Sequence, residues 1–71
     1  MIAKRSFQIT GRVFDSDIEH NVELVSDEAY AVAFVEGYIE ALYPSKLCDF
    51  EISAPDLHGD VWEYEVHVWR R

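Results

Sequence analysis

Cysteine, proline, glycine and basic residues are all scarce in this chain, and each scarcity excludes something. The single cysteine, Cys48, rules out an intramolecular disulfide, so the natural setting is a reducing, cytoplasmic one. No apolar run approaches the roughly 18 residues of a membrane span. The start, MIAKRSFQIT, has basic residues but no apolar segment behind them, so no signal peptide is expected. With two prolines and three glycines there is little room for a linker or a low-complexity tract, and no internal repeat is visible beyond a loose likeness of two strand pairs. The 71 residues therefore read as a single domain, 1–71, near the lower size limit for folding without a staple. A core that small favours oligomerisation as a source of further buried area.

Positive charge is the scarcest of all. Fourteen acids stand against six bases, and five of those bases (Lys4, Arg5, Arg12, Arg70 and Arg71) lie near the chain ends. From Val13 to Trp69 there are fourteen acids and one base, Lys46, a net charge of −13. A phosphate backbone is bound by clustered lysine and arginine, so direct nucleic-acid binding is excluded as an expectation. A basic protein partner fits, as does acidity that serves solubility alone.

What is present is mostly alternation. Phe7, Ile9 and Val13 share one parity with Gly11, while Ser6, Gln8, Thr10 and Arg12 take the other, giving a half-buried strand over 5–14. Gly11 marks a bulge or a close approach by the helix. FDSD, Phe14 to Asp17, is turn chemistry, and Ile18, His20, Val22 and Leu24 form the next inward row opposite Glu19, Asn21 and Glu23. SDEA, Ser26 to Ala29, starts a helix with Ser26 as its cap, and Pro44 ends it after Leu42. Cys48, Phe50 and Ile52 alternate on a third strand, and APDLHGD, Ala54 to Asp60, is a loop. VWEYEVHVW, Val61 to Trp69, closes the chain as the longest strand, with Trp62, Tyr64, Val66 and Val68 inward. The expected fold is α+β: a two-layer domain with a four-stranded, mainly antiparallel sheet of two hairpins (β-β-α-β-β) and one helix on one face.

One helix covers one face of such a sheet; the other face must meet water, a second copy or a partner. Its outward positions include Glu19, Glu23, Asp49, Glu51, Glu63 and Glu65, with Trp69 as the large apolar group. Six carboxylates on one surface repel unless strand order separates them, and they suggest an anionic docking surface. The helix raises a second question. At about 100° per residue, Ala31, Val35, Tyr38, Ile39 and Leu42 share an arc that suits the sheet, with Val32 and Tyr43 beside it. Ala29, Ala33, Gly37 and Ala41 form a stripe of small residues elsewhere, flanked by Tyr30 and Phe34. Either that stripe with Tyr30, Ala33, Phe34, Gly37 and Ala41 is a partner or homodimer face, or the small residues let the helix sit close to the sheet.

Catalytic and metal signatures are missing. His20, His58 and His67 with Cys48 show no ligand spacing, so no metal and no cofactor is expected. Cys48 has no signalled base and reads as a core residue. Glu63 and Glu65 share a strand face, but acid–base work needs a cleft that nothing announces. The chain reads as non-enzymatic.

In element order the whole chain, through FQITGRVF and VSDEAYAVAFVEGYIEAL, resembles small phage-encoded inhibitors of the anti-CRISPR type and phage inhibitors of host nucleic-acid enzymes. The resemblance implies a compact acidic protein that occupies a basic surface on a larger protein or nucleoprotein complex. The alternatives are a homodimeric structural or accessory protein and, third, a small-ligand sensor.

Overall fold

In a computed structural model describing residues 1–71, the chain forms β1 (Ala3–Val13), β2 (Ser16–Ser26), α1 (Glu28–Leu42), β3 (Cys48–Ile52), β4 (Asp56–His58) and β5 (Val61–Arg70). The sheet order is β2-β1-β5-β3, with β4 also pairing β5. The two-layer α+β reading holds, but the sheet has five strands and is mixed. β1 and β5 run parallel at its centre, from Lys4 beside Val61 to Arg12 beside Trp69. Only the first hairpin is a hairpin in the strict sense. β3 and β5 are antiparallel but joined through β4, a short strand inside the segment expected to be a loop.

The β1–β2 hairpin closes on Phe14 and Asp15, both with positive φ (52° and 65°), the two-residue geometry whose twist matches the flanking strands. The exposed Phe14 ring lies under the Arg70 guanidinium, 5.1 Å from its centroid. Ser26 ends β2 instead of capping the helix. The cap is Asp27, whose Oδ1 accepts from the Tyr30 N–H at 2.8 Å. Both residues are chemically able to cap; the strand keeps Ser26 because it pairs with Ala3.

The core follows the expected parity. Phe7, Ile9 and Val13 of β1, Ile18 of β2, Ala31, Val35 and Ile39 of α1, Cys48 of β3 and Tyr64, Val66 and Val68 of β5 are buried. Phe7 and Tyr64, register partners across the parallel pair, stack with centroids 4.2 Å apart. Tyr38 and Val32 border this core, while Leu42, the last residue of the helix, is 46% exposed and does not join it. Two polar residues are buried against expectation. Ser6, on the outer face, donates to Asn21 Oδ1 at 3.1 Å and is flanked by the longer Glu23 and Glu63 on either side. Arg5, in the inward row, donates from Nη1 to the Tyr64 hydroxyl and from Nε to the Ser26 carbonyl. Tyr64 in turn donates to Glu28 Oε1 at 3.4 Å. The buried Arg5 has no direct ion pair; its charge is held by two hydrogen bonds and reaches Glu28 only through the Tyr64 hydroxyl.

Gly11 serves a close approach, though not by the helix. A Cβ there would overlap the backbone carbonyl of Val68 in β5, which no side-chain adjustment can relieve. Gly11→Ala should therefore force the central strands apart and cost about 2–3 kcal/mol. A lowered urea midpoint at unchanged slope is the expected readout; an unaltered midpoint would contradict the central pairing.

Burial pushes the Tyr64 hydroxyl above its ordinary pKa of 10.0; the Arg5 guanidinium opposes the rise and Glu28 adds to it. Folding thus favours the neutral phenol. Its contribution is full below the unfolded value and is lost as pH rises through the folded one. Stability of the parent should fall faster than that of Tyr64→Phe only above about pH 10. Calorimetric unfolding of both across that range tests the direction.

Candidate interaction surface on the outer sheet face

Register fixes the outer face row by row. Lys4 stands between Val25 and Val61, Ser6 between Glu23 and Glu63, Gln8 between Asn21 and Glu65, Thr10 between Glu19 and His67, and Arg12 between Asp17 and Trp69. Beyond β5, Asp56 faces Glu63, Glu51 faces His67, and Asp49 faces Trp69. All six expected carboxylates are on this face, and strand order divides them. Glu19 and Glu23 lie on β2; Asp49, Glu51, Glu63 and Glu65 lie on β3 and β5, with Asp56 added from β4. β1 runs between the groups carrying only neutral residues and, near its ends, Lys4 and Arg12.

That division decides the energetics. Strands two apart are about 9.6 Å apart, beyond the ~8 Å screening length at physiological salt, so the two acid groups scarcely repel. Within the β5 group the carboxylates are closer. Asp56 and Glu63 sit directly opposite one another, an unfavourable pairing. His58 lies 3.4 Å from Glu63, and Arg71 reaches Asp49 at 3.7 Å. These exposed contacts are weak. His58 is thus beside a carboxylate on a strand rather than free in a loop.

Over β5, from Gln8 and Thr10 of β1 to the β3–β4 edge, the face is concave. An open trough of about 680 Å³ is lined by Glu51, Asp56, Glu63 and Glu65 together with His58 and His67. Its wall follows the interruption of the edge between Ile52 and Asp56, which contains Pro55. Sequence reasoning missed this concavity because the loop's short strand is set by pairing with β5, not by local pattern. Ligand pockets for small molecules are mostly apolar, and this one is not. No group of three or more His, Cys, Asp or Glu side chains is arranged to hold a metal ion. Trp69 lies at the end of this surface, 37% exposed and stacked on His67 with centroids 5.7 Å apart. His20, on the inner row, instead meets the Tyr43 hydroxyl at 3.2 Å and the edge of Tyr38.

The small-residue helix stripe faces outward. Ala29, Ala33, Gly37 and Ala41 are exposed, as are Tyr30 and Phe34, whose rings stack 6.5 Å apart. The stripe therefore does not bring the helix close to the sheet; Ala31, at the buried centre, does that. Nothing lies within 4 Å of where a Gly37 Cβ would stand. Compared with protein-family models, curated proteins and solved structures, the chain matches none. No helix is long and apolar enough to cross a membrane.

With open space at position 37, Gly37→Ala should stabilise the isolated chain by about 0.5–1 kcal/mol through helix propensity alone. A raised thermal midpoint that does not depend on protein concentration is expected. Destabilisation that grows with concentration would instead place a second backbone against the glycine.

Proposed function

We infer that this chain is a non-enzymatic interaction module whose acidic outer sheet face docks on a basic protein surface. The carrying observation is the carboxylate set Glu51, Asp56, Glu63 and Glu65 around an open trough, facing away from the core. Selection for stability alone disperses like charges, whereas here Asp56 and Glu63 are opposed without a neutralising lysine. A basic groove supplies the missing counter-charge, steers association and gains specificity from the match. A groove that holds a phosphate backbone is lined with lysine and arginine, so the reading extends to an inhibitor that occupies the groove of a nucleic-acid-handling complex. That extension agrees with the resemblance to phage-encoded inhibitors, and cytoplasmic placement follows from it. Trp69 is the aromatic anchor at the edge of the contact.

A second reading is supported by the exposed Tyr30 and Phe34 beside Ala33, Gly37 and Ala41: a homodimer through α1, with acidity serving solubility. Sedimentation at increasing concentration separates the two, since the docking reading needs no self-association.

Binding to a panel of nuclease and polymerase complexes across salt concentrations tests the primary reading. Affinity should weaken about tenfold from low to physiological salt, and Glu63→Lys with Glu65→Lys should abolish it. The same double variant should keep its unfolding free energy within about 1 kcal/mol, because both carboxylates reach water. Salt-indifferent binding, or binding that survives the double reversal in a folded protein, would sink the proposal.

A further inference from the structure

The central strand β1 is paired on both sides, but β2 is paired on one side only. The two-residue turn makes Val13 and Ser16 the closing hydrogen-bonded pair. Alternation then directs the backbone groups of Ser16, Ile18, His20, Val22, Leu24 and Ser26 toward β1. Those of Asp17, Glu19, Asn21, Glu23 and Val25 point outward, along about 27 Å of strand. Outside its ladder the β2 backbone receives one further bond, from Arg5 Nε to the Ser26 carbonyl, and no loop covers the edge.

The two edges of the sheet differ in kind. On the far side, β3 and β4 are short and separated by a break that contains Pro55, a usual way of blunting an edge. β2 runs eleven residues without proline, glycine or lysine. Its outer row carries Asp17, Glu19 and Glu23 with no base, while its inner row, Ile18, His20, Val22 and Leu24, lies against the helix side. A strand laid beside β2 would set every second side chain beside the acids and the others beside the apolar row.

A second copy meets like charges on this edge at full overlap. It avoids them only by sliding to a register centred on Val22, where Glu19 would face Val25 and Glu23 would face Asn21. Antiparallel self-pairing centred on Asn21 would oppose Glu19 and Glu23 twice, and pairing centred on His20 would oppose Asp17 and Glu23 twice. We propose that the open edge of β2 receives an extended segment of a partner protein, alternating basic and apolar residues, as a sixth strand. This rests on the reading of the partner as basic, and adds to it a separate site and a main-chain mode of binding.

The test uses the full chain, isotopically labelled, with an eleven-residue peptide alternating lysine and valine. Its control is a peptide of the same composition with the lysines in one block. Amide exchange at Glu19, Asn21 and Glu23 should slow at least about tenfold with the alternating peptide and not with the control. Asn21→Pro removes one outward N–H and should weaken binding about tenfold relative to Asn21→Ala. The alanine variant accounts for the lost Ser6–Asn21 hydrogen bond. Unchanged exchange at those amides with peptide bound, or equal affinity of the two variants, overturns the proposal. If both peptides bind alike and Glu63→Lys with Glu65→Lys abolishes that binding, the edge proposal falls and the outer-face reading stands. If neither peptide binds at low salt, both fall.

Discussion

The parallel pairing of β1 with β5 is the constraint on which the rest depends. It places Phe7 on Tyr64, brings the two strands richest in buried residues together, and requires Gly11 because the Val68 carbonyl occupies the space a side chain would take. A parallel pair cannot be made by a hairpin, so its ends must be joined by a long crossover. Here everything from β2 to β4 lies between them in sequence. The core is thus built from contacts between residues more than fifty positions apart, and Arg5, Tyr64 and Glu28 tie the start of β1, the middle of β5 and the start of α1 in one polar chain.

The same pairing shapes the charged surface. β1 separates the acids of β2 from those of β3, β4 and β5, and its neutral Ser6, Gln8 and Thr10 form a spacer between two negative fields. The fold can therefore carry a dense acidic face without much mutual repulsion across its width. Along β5 and the neighbouring edge the crowding persists, and there the surface is concave. Charge and shape coincide where the fold gains least from the charge.

The helix shows the opposite economy. Three residues at four-residue spacing, Ala31, Val35 and Ile39, meet the core, and a broad face of small and aromatic side chains is left to solvent. Acidic sheet, open β2 edge and apolar helix face are three separate surfaces on a domain of 71 residues. Only eleven of these residues form the buried apolar core.

Parity and punctuation carried much of this in the sequence. The inward rows of β1, β2, β3 and β5, the outward acids and the span of α1 follow from alternation, helical period and Pro44, because each is a property of neighbouring residues. Strand order is not. Nothing local says that β5 inserts beside β1 in parallel, that Gly11 makes room for Val68, or that Arg5 is buried on a tyrosine. Residues 56–58 form a strand only because β5 offers them an edge, and the capping role passes from Ser26 to Asp27 because Ser26 is held by Ala3. The sequence by itself determined which side chains share a face, since that depends on backbone geometry within each strand. Only the tertiary structure decided which faces adjoin, and with it the separation of the acids, the trough and the free edge, because those depend on pairings between distant segments.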